Sequence, residues 1–245
     1  MTKVMLVTGG SRGIGASIAK LAGASGYAVA VNFVRNSNAA EEVVRSIRSG
    51  GGKAIAVRAD VGEDGDVQRM FAEVDDQLGK VDVLVNNAGI LGNCRVEDMD
   101  AATLTGIFRA NVFSMYYCAR EAVRRMSTKH GGTGGVIVNM SSVASRLGGL
   151  AGGSHYAATK GAIDTFSLAL SKEVGGEGIR VNTIRPGLIE TEIHDVHGGM
   201  NAALAKSVPL GRSGQADEVA RVALWLASED ASYVHGAIVD VAGGR

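Results

Sequence analysis

The sequence predicts an α/β fold, a doubly wound parallel sheet of about seven strands with helices on both faces, in a single domain spanning residues 1–245. Three observations carry that prediction. Short runs rich in Val, Ile and Ala alternate with longer segments of helical period, which is the signature of successive βαβ units with right-handed crossovers. Most of the short runs are continuously apolar rather than alternating, as strands buried on both faces are. The length of 245 residues suits one wound sheet, and no internal repeat, charge block or linker divides the chain.

The elements follow in order. Val4–Thr8 is an apolar run that ends at a glycine-rich turn, and Ile14–Ser25 after it has helical period. Ala28–Phe33 and Ala54–Ala59 are the next two strands, separated by a helix over Asn38–Ser49. Asp64–Leu78 is a helix leading to the strand Val83–Asn86, and Ala101–Met126 reads as one long helix. The fifth strand is Val136–Met140, followed by a strong helical pattern over Tyr156–Val174. Arg180–Ile184, a helix over Asp217–Ala227 and a last strand over Ala237–Val241 complete the set. The irregular stretch 187–214 leaves the carboxyl edge of the sixth strand, where open α/β sheets bind ligands, so it is expected to act as a substrate lid.

Composition narrows the partners. Lys plus Arg and Asp plus Glu both total 25, so the formal net charge is zero and nothing suggests nucleic acid. Arg120, Arg124, Arg125 and Lys129 would be spread along one side by helical spacing and read as a solvated face. The two cysteines, Cys94 and Cys118, form no CxxC pair, which fits a reducing cytoplasm, and no stretch approaches a membrane-spanning helix. Glycine is in excess, at 35 residues, about 14% of the chain against a usual ~7%.

Part of that excess lies in Thr8–Gly15. Glycines between a first strand and its helix let the backbone turn tightly and let a pyrophosphate approach amides at the helix N-terminus. The spacing is Gly-x-x-x-Gly-x-Gly, and Gly9, Ser11, Arg12, Gly13, Ile14 and Gly15 are the candidate contacts in a Rossmann-type dinucleotide site. An acid near the end of the second strand would read a ribose 2′-hydroxyl. Residues 31–36 contain none; Asn32 and Arg35 stand there instead, with Arg12 nearby. That favours NADP(H) over NAD(H), because a guanidinium can fork onto phosphate oxygens.

Tyr156 and Lys160 are four apart and share a helix face. A phenol ionises near ~10, so it exchanges protons poorly at neutral pH unless a cation stabilises its phenolate. A lysine one turn away can do that. Ser141 and Ser142 end the fifth strand at the ligand-binding edge, where a hydroxyl could hold a carbonyl or alcohol oxygen.

The chain resembles the short-chain dehydrogenase/reductase superfamily over essentially its whole length, in the single-domain branch that includes glucose dehydrogenase-like and 3-oxoacyl-acyl-carrier-protein reductase-like members. The resemblance rests on Thr8–Gly15, Asn86–Gly89, Ser142, Tyr156 with Lys160, and Pro186–Gly187, in that order. It implies a catalytic set of Asn111, Ser142, Tyr156 and Lys160. Tyr156 would be the general acid/base, Ser142 would orient the reacting oxygen, Lys160 would hold the nicotinamide ribose and lower the tyrosine, and Asn111 would position a relay water. It also implies cofactor contacts from Asp60 and Val61, from Asn87, Ala88 and Gly89, and from Pro186, Gly187, Ile189 and Thr191. The implied protein is a cytoplasmic homotetramer, with its subunit-contacting end at Tyr233–Arg245, acting on a small-molecule carbonyl or alcohol.

Two features depart from the family pattern. Ser142 lies fourteen residues before Tyr156, one more than is common, which leaves Ser141 as a lesser candidate. The segment Lys129–Gly135 is a longer lead-in than usual to the fifth strand. His194 and His197 lack a third ligand, so no metal is expected. His155 either lines the pocket or stands exposed at the helix start, Cys94 either faces substrate or is a small buried residue, and Glu190 and Glu192 read as solvated. The reaction expected is NADP(H)-dependent carbonyl/alcohol interconversion. A 3-oxoacyl-acyl-carrier-protein reductase is the alternative, weakened because Val174–Glu177 carries no basic residue for an acidic carrier. A dinucleotide-binding sensor without catalysis is the alternative of a different class.

Overall fold

The computed structural model describes residues 2–191 and 206–245. Its strands are β1 (Val4–Val7), β2 (Ala28–Phe33), β3 (Ala54–Arg58), β4 (Val83–Asn86), β5 (Gly135–Met140), β6 (Ile179–Pro186), β7 (Ile189–Glu190), β8 (Gly214–Gln215) and β9 (Ile238–Val241). The helices are α1 (Gly13–Ala24), α2 (Ser37–Ser49), α3 (Asp64–Gln77), α4 (Ala101–Phe108), α5 (Ser114–Met126), α6 (Ala144–Leu147), α7 (Ser154–Val174) and α8 (Ala216–Ala227). The seven-stranded sheet runs β3-β2-β1-β4-β5-β6-β9 with every pair parallel. The order reverses between β1 and β4, and that switch point is where a wound sheet opens a crevice for ligand.

Continuous apolar strands are explained by two cores. In β1, Met5 and Val7 point into a cluster with Ile18, Val44, Ile47 and Leu226 from α1, α2 and α8. Val4 and Leu6 point into the opposite cluster with Phe71, Met126 and Leu170 from α3, α5 and α7. The same alternation recurs in β4, where Val83 and Val85 face one core and Leu84 the other. Each fully buried Leu, Ile, Met or Phe contributes roughly 1.5–3 kcal/mol, so neither face of these strands can carry a charge.

The structure revises three expectations and adds one element. The long helix expected over Ala101–Met126 is interrupted by a π turn at Arg109–Phe113, because the Asn111 side chain is tied to the Ile90 backbone and to Thr159. A one-residue slip of this kind hardly disturbs a hydrophobic period, and π turns are often found where a side chain must be re-aimed for function. A short helix, α6, occupies the segment between Ser142 and Tyr156. The arginines of α5 are ion-paired as well as partly solvated: Glu121, 5% exposed, takes Arg120, Arg124 and Arg125, with Asp64 and Asp75 completing the network. Lys129 pairs with Glu177, and Glu190 is engaged by Ser213 and Gln215 rather than solvent alone.

The expected lid at 187–214 is described at its two ends, where Ile189 and Glu190 pair with Gly214 and Gln215. Its middle, including Glu192, His194 and His197, lies outside the described residues. Among the described residues no helix is long and apolar enough to cross a membrane, and no cluster of His, Cys, Asp or Glu is arranged to hold a metal.

Candidate active site

The turn after β1 is latched from both sides. Thr8 Oγ1 accepts the backbone N–H groups of Asn87 and Ala88 at 3.0 Å each, and Asn87 Nδ2 donates to the carbonyls of Thr8 and Gly9. Asn32 Oδ1 accepts the Gly9 N–H at 3.1 Å, and the Gly10 N–H reaches the Asn32 carbonyl. Gly9 and Gly13 adopt φ of 60° and 53°, which a side chain resists. A Cβ on Gly15 would stand 2.5 Å from Asn87 Nδ2 and press on the Gly9 carbonyl. At the start of α1 no side chain caps the helix and its first turn holds no acid. Those free amides and the close backbone approach fit a pyrophosphate.

Asn32 is 1% exposed and spends its amide on Gly9, Val57 and Ala59. It shapes the loop instead of facing a ligand. Arg12 and Arg35 are exposed. Asp60 accepts the Gly62 N–H and sits 3.3 Å from Arg109, while the Val61 side chain belongs to the core, leaving its backbone for contact. Ile14 packs partly against the core, and Ser11 is half-buried beside it. At the other end Gly187 donates to Val241, and a Cβ there would lie 2.7 Å from Ala242 Cα. Pro186 is buried, Ile189 is in the core, and Thr191 approaches Gly13, which joins the two ends of the cleft.

Ser142 follows β5, and Tyr156 and Lys160 lie in the first turns of α7. The Ser142 hydroxyl accepts the Ala144 N–H at 3.1 Å and stands near enough to Tyr156 to favour its ionised form. Ser141 is instead buried, with its hydroxyl donated to the Lys160 carbonyl, so the geometry brings Ser142 and not Ser141 to the tyrosine. Lys160 Nζ lies 5.6 Å from the Tyr156 ring centroid and donates to the Met140 carbonyl at 2.8 Å. A Cβ on Gly89 would stand 3.1 Å from Asn111 Oδ1 and 3.8 Å from Lys160 Nζ, so these residues converge on the floor of the cleft. The Asn111 amide is fully engaged by Ile90 and Thr159.

Burial governs the ionisation here. It pushes the Tyr156 phenol above its ordinary value, and the Ser142 hydroxyl acts in the opposite direction. Burial also lowers Lys160 to about 8, with Asp164, one turn further along α7, acting to raise it. Asp164 is itself held by Arg185 of β6 at 2.8 and 3.0 Å. Sequence reasoning missed this pair because its members belong to different elements.

His155 is buried, its ring pressed against Gly92 and its Nδ1 without a partner among the described residues. Cys94 is half-buried and its N–H bonds the Gly152 carbonyl, which seals the loop after β4 onto the glycine-rich segment before Tyr156. The arrangement can present an oxygen-bearing substrate to a phenol and a hydroxyl, beside a cleft shaped for a dinucleotide.

Comparison with known proteins agrees with that geometry. A family described as enoyl-(acyl carrier protein) reductase matches residues 9–245. The chain is 48% identical over 245 residues to an uncharacterized oxidoreductase, YgfF, of Escherichia coli strain K12, covering 99% of each. It is 37% identical over 243 residues to the 3-oxoacyl-[acyl-carrier-protein] reductase FabG of Chlamydia pneumoniae, covering 99% of this chain and 96% of that one. The crystal structure of a blue fluorescent protein from a metagenomic library, in complex with NADPH, superposes with a TM-score of 0.91 at 32% identity, covering 99% and 97% of the two chains. The chain is a member of the short-chain dehydrogenase/reductase superfamily of oxidoreductases.

Proposed function

We propose that this protein is an NADP(H)-dependent oxidoreductase that interconverts a carbonyl and a secondary alcohol. The observation that carries the proposal is the convergence of Ser142, Tyr156 and Lys160 beside the Thr8–Gly15 cradle. The glycine turn, Arg12 and Arg35 would hold the phosphates. The Asp60–Val61 backbone would meet the adenine, and Asn87–Gly89 and Pro186–Thr191 the nicotinamide half. When bound, the dinucleotide supplies or accepts the hydride.

The chain's own residues handle the proton. Ser142 would hold the substrate oxygen, and Tyr156 would donate to it during reduction and accept from it during oxidation. Lys160 would anchor the ribose and keep a positive charge near the phenolate that forms. Asn111, through its grip on Ile90 and Thr159, would fix the floor beneath them. NADP(H) is supported by the absence of an acid at residues 31–36 and by the NADPH-bound structural relative. A 3-oxoacyl thioester substrate is the second reading, supported by the likeness to FabG.

The test is a panel of sugars, ketones, steroids and β-ketoacyl thioesters, followed by cofactor absorbance with both NADPH and NADH. Tyr156→Phe is expected to lower turnover about a hundred- to ten-thousand-fold on any substrate found. Hydride transfer at near wild-type rate in that variant would refute the mechanism. Failure of the wild type to turn over any of the panel while still binding NADPH would favour a sensor.

A further inference from the structure

The sheet brings a third arginine to the corner where Arg12 and Arg35 stand. Arg58 is the last residue of β3, exposed, and paired in register with Phe33 of β2. Its Nε–H donates to the Val34 carbonyl at 3.3 Å, the carbonyl immediately before Arg35. In wound sheets the end of the second strand is where the adenosine ribose is read. Arg58 is thus anchored beside that strand end by a strand pairing that no sequence spacing announces.

The corner is cationic. None of Arg12, Arg35 and Arg58 forms an ion pair among the described residues. The acid that feels Arg58 is Asp66, which is held by Arg69 and by the Asp60 N–H. Helix α2 begins directly after this segment, capped by Asn36 and with no acid in its first turn, so its positive end adds to the field. A guanidinium carries five N–H donors. Spending Nε–H on Val34 fixes the plane of Arg58 and leaves the terminal nitrogens for a ligand.

We propose that Arg58 is a specificity-determining residue that binds the 2′-phosphate of NADP(H) together with Arg12 and Arg35. This rests on the NADP(H) reading above and adds to it a residue outside the strand-end segment. The bland role for Arg58, tying down the Val34 carbonyl, would affect any adenosine ligand equally.

The two roles separate in calorimetric titration of the wild-type protein, Arg58→Met and Arg58→Lys with 2′,5′-ADP and with 5′-AMP, which differ by the 2′-phosphate. Wild type is expected to prefer 2′,5′-ADP. Arg58→Met should weaken 2′,5′-ADP about tenfold, the worth of a charge-assisted hydrogen bond, and leave 5′-AMP unchanged; Arg58→Lys should fall between. Equal weakening of both ligands, or no weakening of 2′,5′-ADP, overturns the proposal while leaving the NADP(H) reading intact. A wild type without preference for 2′,5′-ADP overturns the NADP(H) reading itself.

Discussion

Gly15→Ala is the sharpest probe of the dinucleotide cradle. In an ordinary helix position this change would stabilise by about 1 kcal/mol, since alanine is the better helix former. Here the new methyl would lie 2.5 Å from Asn87 Nδ2 and inside contact distance of the Gly9 carbonyl oxygen. The oxygen belongs to a backbone held by Asn32 and cannot retreat cheaply. Asn87 could move, but its amide bonds to Thr8 and Gly9 at 2.9 and 3.1 Å would be lost. Overpacking costs roughly 1–3 kcal/mol, and two hydrogen bonds add about 1 kcal/mol each. Set against the helix gain, the net loss is about 2 kcal/mol or more. Gly106, in α4 with nothing within 4 Å of an added Cβ, is the matched control, and Gly106→Ala should gain up to about 1 kcal/mol. Urea unfolding at constant m reads both changes, and titration with NADP+ reads the cradle. A Gly15→Ala protein as stable as wild type, with undiminished NADP+ affinity, would show that the close approach of α1 to the turn is not real.

Lys160, lowered to about 8 by burial, loses its charge as pH rises through that value, so reductive turnover should fall above about pH 8, well before an ordinary lysine would titrate. Its contribution to stability runs the other way. Between about 8 and the ordinary lysine value the unfolded chain binds the extra proton, so this contribution rises with pH there, and a pH series of melts separates it from the rate. Asp164→Asn removes the acid that raises Lys160 and leaves Arg185 without its buried partner. It should cost about 3–5 kcal/mol by urea unfolding and move the alkaline limb of the rate profile to lower pH; an unmoved limb would mean the Asp164 charge does not reach the lysine. The exposed Phe113, Tyr116, Leu168, Trp225 and Tyr233 suit a homotetramer, which light scattering at micromolar concentration would show, and a monomer would dismiss.

How much was legible follows from how each feature is encoded. Strands such as Val4–Val7 and Val83–Asn86 are local apolar runs, so their existence could be read directly. The glycine turn was legible for the same reason: its chemistry is contiguous. The β7 and β8 pair is two residues on each side, too short for any period to register. The π turn adds one residue to a helix and hides within the pattern. Asn32 was placed correctly at the strand end, yet its side chain turned inward, because a buried amide between two strands finds backbone partners before it finds a ligand. Arg58 and the Asp164–Arg185 pair depend on strand neighbours, which a linear reading does not supply.

The Tyr156–Lys160 pair shows where such a reading stops. Spacing put both residues on one helix face, and from charge alone one expects the lysine to pull the phenol down. Spacing says nothing about solvent. In the structure Lys160 is buried and Tyr156 half-buried, and the loss of hydration disfavours the charged form of each: the phenolate of Tyr156 and the ammonium of Lys160. Lys160 is still mostly charged at neutral pH, while Tyr156 holds its proton throughout that range. On the proposed mechanism this resting state is a proton donor waiting for a developing alkoxide, with the lysine charge in place to receive the phenolate. Oxidation of an alcohol would need the opposite state, and Ser142, the group that favours the ionised phenol, is what brings it within reach. Ser142→Ala should therefore slow both directions, since the overall equilibrium ties their kcat/KM values together, and move the pH profile of alcohol oxidation to higher pH; an unmoved profile would leave Ser142 with only the task of holding substrate.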